Sequence, residues 1–445
     1  MNDQQSLSHN QNKAYSQAPN TNKIEQFDIE DVHTQQKSPG SHLKARLIYK
    51  NEQDQGASVY NATINICKSG FGTTILFMPY VFMKCGSVLS IILMTFTGAL
   101  CYYAWMQLIK VIQKIEEQEN YRRRITLKQA VETILGDRIV LVVEFFTVFF
   151  NFGTILSYMV FIQKSMDDIL KYKLILCIIM AGVFIPISLY RNIQKLGIFS
   201  QFGLTTFFVA VLIIIIKSLY LLFSGNTSIN DTNFQYNLFS FNEIPLFFGV
   251  YVFAYDINGV VTEVYASMEE RSKFDIILYR YIIVMCLTGL ITGAIGYAAF
   301  KGTTSDLVFN NLADMGTLQQ ILKIFYAISL LGSILLYGFP ILQRIDTFME
   351  RRYFTHQNFQ RTGVRLLFFL LIFVLATQLP KLTDLFNLLG CIFSIGLGFV
   401  FPIMLSEKIS EGDKDHRRKV INYTVLFIGL FGGLSGVVST LIEIF

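Results

Sequence analysis

The stretch from Ala57 to Gly86, ASVYNATINICKSGFGTTILFMPYVFMKCG, constrains this chain more than any other. It is long and apolar enough to cross a bilayer, since about 20 residues at a rise of 1.5 Å each span the hydrocarbon core. Yet it carries Asn61, Asn65, Lys68, Ser69, Thr73 and Thr74, with Gly70 and Gly72 in its middle. Lipid solvates neither backbone nor charge, so such a span must face protein or a water-filled cavity. A discontinuous helix near the bilayer midplane is a sequence pointer to a transport site.

Composition places the remainder in the same solvent. Of 445 residues, 52% are hydrophobic and 16% charged, where a soluble domain is about 25% charged. Runs such as 209–216 and 366–376 are too apolar for a solvated helix. The expectation is an all-α polytopic membrane protein. Residues 1–50, rich in Gln, Asn, Ser and Lys with no apolar period, read as a disordered cytoplasmic tail, and 51–445 as one transmembrane domain. No charged segment leads into an apolar one at the start, so the first span is expected to act as the insertion signal.

Several chemistries are disfavoured. Cys67, Cys85, Cys101, Cys177, Cys286 and Cys391 all fall in or beside apolar spans, in neither a disulfide nor a zinc spacing. The histidines, His9, His33, His42, His356 and His416, lie outside the spans, which leaves none for an embedded acyltransferase, metalloprotease or haem site. There is no G-x-x-x-x-G-K-S/T for a nucleotide. We expect no metal, no cofactor, no nucleic-acid partner and no enzymatic activity.

Eleven spans are expected, at about 57–81, 87–110, 138–163, 174–190, 198–223, 243–266, 274–300, 317–342, 364–380, 384–406 and 419–443. A short amphipathic piece, Thr126 to Leu135, precedes the third. Lys and Arg crowd one side, including Arg122, Arg123, Arg124, Arg271, Arg351, Arg352, Arg417 and Arg418. The opposite side holds only Lys84, Lys164, Lys171, Lys173, Lys301 and Lys381. That bias predicts a cytoplasmic N-terminus and a lumenal or extracellular C-terminus. The loop at 224–240, on the outer side, has no Lys or Arg and carries two glycosylation acceptors, Asn226 and Asn230. Asn61 fits the same pattern but sits within the first span.

A second broken span runs from Phe247 to Met268, where Gly259 follows Tyr255, Asp256 and Asn258. Five spans separate the two breaks, an odd number, so a duplicated five-span unit would insert upside down the second time. This predicts a five-plus-five inverted repeat with helices 1 and 6 broken and facing each other. Free N–H groups at such breaks can hold a carboxylate, and free C=O groups a cation or ammonium. An α-amino acid carries both, although any small anion would satisfy half of the requirement.

At residues 68–79, KSGFGTTILFMP, the chain resembles the first-span signature of the amino acid/auxin permease family, nearest its proton-coupled and vacuolar amino acid transporter branch. FAYDING at 253–259, with Met268, Lys273 and Phe274, is similar to the family's span 6 pattern. Pro340 to Gln343 and Leu389-Gly390 to Pro402 resemble its patterns in spans 8 and 10. The resemblance covers about residues 50–443. The chain departs from the family pattern at Thr74 (family Gly), Asp256 (Glu), Ile257 (Gly) and Glu263 (often Pro). The first and third departures reduce backbone freedom beside the substrate.

The resemblance implies a secondary active transporter of small neutral L-amino acids that works by alternating access, with proton coupling ahead of sodium. Its membrane would be vacuolar, lysosomal or plasma membrane, and its state monomeric. An amino acid sensor with little transport, or a sodium-coupled transporter, is the alternative. Substrate contacts are expected from Ser69, Gly70, Phe71, Gly72, Thr73 and Thr74 in span 1, and from Phe253, Ala254, Tyr255, Asn258 and Gly259 in span 6. Asn151 and Tyr158 in span 3 and Tyr337 in span 8 would shape the pocket. Asp256 is expected to carry the coupling proton or contact substrate. Lys68 would replace a sodium ion as fixed positive charge, or form a structural ion pair or carbonyl contact. Glu144 and Lys217 read as a partnered charge and an interfacial snorkeler.

Overall fold

The computed structural model describes residues 58–118, 125–167, 193–224, 234–350, 357–379, 381–411 and 415–444, with positions 169, 178 and 182. Among them are fourteen α-helices and no strand. Most of the expected fourth span, both acceptor asparagines and residues 1–57 lie outside the described residues.

The first span is a bent pair. Helix α1 (Val59–Gly70) begins at Ser58, whose side chain accepts from the Asn61 N–H, and ends where Phe71 and Gly72 turn extended. Helix α2 (Thr73–Cys85) then leaves at 53° to α1. Next come α3 (Ser87–Gln118), the amphipathic α4 (Leu127–Leu135), α5 (Asp137–Met166) and α6 (Ile193–Ser224). The sixth expected span is again two helices, α7 (Ile244–Ala254) and α8 (Val261–Ser267), and α9 is Phe274–Phe300. After α10 (Thr317–Glu350) and α11 (Gln357–Gln378), α12 (Leu382–Leu388) passes into wide π-helical turns at Leu389–Ser394 and Gly396–Val400. Helices α13 (Phe401–Ile409) and α14 (His416–Ile444) end the chain.

Among the described residues six helical stretches are long and apolar enough to cross a membrane, and seven spans result if the bent pair is one. Their outer faces fit lipid rather than water. On α14, Phe427, Phe431 and Leu434 are 68%, 66% and 70% exposed, an apolar display that is stable only in hydrocarbon. The chain is an integral, polytopic, all-α membrane protein.

Local chemistry explains several boundaries. Thr126 and Gln129 form a reciprocal capping box at the start of α4. Helix α3 runs beyond its apolar stretch to Gln118, because its last turns leave hydrocarbon; there Glu116 pairs with Arg271. The wide turns of span 10 end at Pro402, which has no N–H to donate to the preceding turn. Small residues set the closest packing. A Cβ on Gly293 or Gly296 of α9 would lie 2.5 Å from Phe82 and 2.7 Å from Pro79 of α2, so α9 approaches α2 through its glycines.

Asn387 ties α12 to two other helices. Fully buried, it accepts from the Gly249 N–H at 2.8 Å and donates to Thr440 Oγ1 at 2.8 Å and to the Gly436 carbonyl at 3.1 Å. A leucine there would remove these three bonds from a dry interior. Asn387→Leu is expected to cost about 3 kcal/mol, read as a fall in thermal stability of the detergent-purified protein.

Candidate functional site

The two breaks meet at a narrow cavity of about 10 Å³, room for roughly one water. Its wall is formed by Ser69, Gly70, Gly72, Thr73 and Thr74 from the first span and by Phe253 and Asp256 from the sixth. Phe150, Thr154 and Tyr158 of α5 and Tyr337 of α10 complete it.

On the span 1 side the break exposes backbone of both polarities. Gly72 supplies no side-chain cap to α2, and the first N–H groups of any helix lack an intrahelical acceptor. Beside them the Thr73 hydroxyl is buried with no hydrogen-bond partner among the described residues. At the other lip, the last carbonyls of α1 lie at the negative end of its dipole. Tyr337 donates to the Ser69 carbonyl at 3.3 Å. The rings of Tyr337 and Tyr158 meet edge to face at 6.0 Å. Donors and a hydroxyl suit a carboxylate; carbonyls and a nearby Asp256 suit an ammonium.

On the span 6 side, six residues, Tyr255 to Val260, separate α7 from α8. The Asp256 carboxylate accepts from the Asn258 backbone N–H at 2.8 Å, from Asn258 Nδ2 at 3.1 Å and from the Ser394 hydroxyl. Asn258 Oδ1 in turn accepts from Trp105 Nε1 of α3 at 2.8 Å. Tyr255 donates to the Met94 carbonyl at 2.8 Å and so anchors the break to α3.

Tyr281 of α9 spans both breaks. Its hydroxyl donates to the Tyr255 carbonyl at 2.9 Å. Its ring end also occupies the space a Gly70 side chain would need, with the Tyr281 Oη 2.0 Å from an ideal Cβ there. Glycine at position 70 therefore permits a tyrosine to bridge two interrupted helices.

Several expected contacts are placed elsewhere. Phe71 does not line the cavity and packs at a tilt against Phe207 and Phe208 of α6, ring centres 5.3 and 5.0 Å apart. Ala254, Tyr255 and Asn151 are buried but do not line the cavity, Asn258 stands behind Asp256, and Gly259 is exposed with open space around it. Lys68 is half-buried on α1, one residue before the wall begins. Glu144 pairs with Lys128 and Lys217 with Asp314, each at 2.5 Å. Phe150 and Thr154 were not anticipated, although counting back from Tyr158 in steps of four reaches both, one helical face. Ser394 is the serine of the span 10 pattern between Gly390 and Pro402, whereas Tyr281 and Trp105 carry no local signal.

Helices long and apolar enough to cross a membrane, with two helix breaks meeting at a shared polar cavity, are the architecture of an integral membrane protein with an internal polar site. The family model described as transmembrane amino acid transporter protein matches residues 55–442, and the chain belongs to that family, one of transporters and not of enzymes. Over 387 residues it is 23% identical to amino acid transporter AVT3A of Arabidopsis thaliana, covering 84% of this chain and 87% of that one. It is 25% identical over 292 residues to vacuolar amino acid transporter 4 of Saccharomyces cerevisiae, covering 63% of this chain and 39% of the yeast protein. With vacuolar amino acid transporter 3 of Schizosaccharomyces pombe it shares 24% over 378 residues, 81% of this chain and 55% of that one.

Proposed function

We propose that this protein is a proton-coupled secondary transporter of small neutral L-amino acids in the vacuolar membrane. One observation carries the reading: the uncapped start of α2 and the unpartnered Thr73 hydroxyl share a cavity with Asp256. That pairing offers opposite recognition chemistry for the two ends of a zwitterion. The bulky wall of Phe150, Phe253, Tyr158 and Tyr337 favours a small side chain. The family and the vacuolar transporters among its relatives support the substrate class and the membrane.

The eleven-span, inverted-repeat reading draws support from packing. Helix α9 packs on α1, α2 and α3, whereas α5 packs on α10 and α11. Helix α6 packs on both α9 and α10 and so joins the two sets, and rocking one set against the other would open the cavity to each side in turn. A cavity with room for about one water is smaller than an amino acid, so substrate entry would spread its wall.

The test is uptake by the purified protein in liposomes across a panel of amino acids, with imposed pH and sodium gradients. The expected result is concentrative movement of small neutral amino acids on a pH gradient without sodium. Dependence on sodium, or binding without transport, would favour the sodium-coupled or sensor alternatives.

Orientation follows from the charge bias and has its own test. With the N-terminus cytoplasmic, Asn226 and Asn230 face the lumen. Replacing both with Gln is expected to abolish a glycosidase-sensitive mass shift of about two glycans. Glycosylation of an acceptor site appended at residue 1 would reverse the assignment.

A further inference from the structure

The hydrogen bonds around Asp256 differ in one respect that bears on coupling. Trp105 Nε1–H can only donate, and it donates to Asn258 Oδ1. That bond fixes the orientation of the Asn258 amide, so Nδ2 faces the Asp256 carboxylate and can only donate to it. The Asn258 backbone N–H is likewise a donor only. Of the three groups held to the carboxylate, the Ser394 hydroxyl alone can also accept. An ionised Asp256 is satisfied by all three as they stand. A protonated Asp256 presents an O–H that needs an acceptor, and of these three groups only Ser394 can turn to provide one.

We propose that Ser394 is the positioning residue for the coupling proton: its hydroxyl donates to ionised Asp256, reverses to accept from protonated Asp256, and so conveys the protonation state of the span 6 break to the wide-turn segment of span 10. This rests on Asp256 as the proton carrier. In the step, one Asp256 oxygen gains an O–H bond to a proton taken from the aqueous side then open. No covalent bond of Ser394 changes; its hydrogen swings to a carbonyl of its own preceding turn, the usual partner of a helical serine.

The location suits a switch. Ser394 is 2% exposed and closes the first π-helical segment, a widened turn of the kind that recurs at functional sites. That segment is pressed against the sixth span. A Cβ on Gly390 would fall 1.8 Å from the Gly249 carbonyl oxygen, and Asn258 Nδ2 lies 3.5 Å from the Ser394 carbonyl. A change in the Asp256–Ser394 bond therefore acts between two backbones in contact. The other titratable groups within electrostatic reach of Asp256 are Cys101 on α3, Tyr158 on α5, Tyr281 on α9 and Tyr337 on α10. Nearest the breaks in sequence are the charged Lys68 on α1 and Glu263 on α8. The hydrogen bonds to the carboxylate itself come from Ser394 and Asn258.

The test uses the full chain in liposomes, with Ser394→Ala, the near-isosteric pair Ser394→Thr and Ser394→Val, and Asp256→Asn as comparator. Two quantities are read: accumulation on a pH gradient relative to exchange at equal pH, and the infrared carbonyl band of the protonated carboxyl that Asp256→Asn removes. Losing a hydrogen bond to a charged group is worth a factor of about ten or more. Ser394→Ala and Ser394→Val are expected to lower the accumulation-to-exchange ratio about tenfold, whereas Ser394→Thr keeps it within about twofold. In the alanine and valine variants the carboxyl band is expected to move to higher frequency, since its O–H has lost an acceptor. A packing role for Ser394 would not move that band. If Ser394→Val matches Ser394→Thr in both readouts while Asp256→Asn has lost accumulation, the serine switch is wrong and the proton reading stands. If Asp256→Asn accumulates substrate as the wild type does, the proton reading fails and the switch with it.

Discussion

Asp256→Asn is expected to bring accumulation on a pH gradient down to a ratio of about one, while amino acid exchange at equal pH survives. One pH unit is worth about 1.4 kcal/mol per proton, which at one proton per substrate sustains a tenfold concentration ratio. The amide keeps the size of the carboxylate and can still accept one of the two Asn258 bonds, but it neither gains nor releases a proton. Asp256 is the acidic residue that lines the cavity. Glu144 is paired with Lys128 at the edge of α5, and Glu263 is exposed on α8. A variant that still concentrates substrate, or a wild type that needs sodium, would reduce Asp256 to a structural or substrate contact.

The glycines of the first break are expected to fail in two distinguishable ways. Gly72 has φ −131° and ψ −167°, extended backbone open to any residue, and an added Cβ would lie 3.3 Å from the Tyr158 hydroxyl. Gly72→Val therefore adds no backbone strain, and the Tyr158 hydroxyl has to give by a few tenths of an ångström. Its two methyl groups enter a cavity with space for about one water, so transport is expected to fall at least about a hundredfold with the protein still folded in the membrane. Gly70→Ala is the harsher change despite its smaller side chain. Its Cβ would overlap the buried Tyr281 hydroxyl at 2.0 Å, and displacing that ring breaks its bond to the Tyr255 carbonyl. Loss of transport together with lower thermal stability is expected, by about 1–3 kcal/mol for overpacking. Normal affinity in Gly72→Val would mean that substrate sits elsewhere. Unchanged stability in Gly70→Ala would mean that the Tyr281 bridge carries no load.

Much of the architecture was legible in the chain because it is written locally. Lys68 to Gly72 and Tyr255 to Gly259 interrupt apolar runs, and a helix break falls within each, at Phe71 and Gly72 and from Tyr255 onward. Thr126 and Gln129, three residues apart, announce the start of α4. Apolar length and polar interruption act on neighbouring residues and need no distant partner to be read.

What faces what depended on how the helices rotate against one another. Phe71 sits inside the most informative motif yet turns to α6, because the extended backbone at the break sends successive side chains to opposite sides. Phe150 and Thr154 reach the cavity while Asn151, adjacent in sequence, does not, since one residue turns a helix by about 100°. Trp105 finds Asn258 across 153 positions, and Ser394 finds Asp256 across 138. No local pattern encodes such pairs. They exist because glycines at 70, 249 and 390 let backbones and rings approach to distances that side chains would forbid, and only the folded bundle reveals which groups those close approaches bring together.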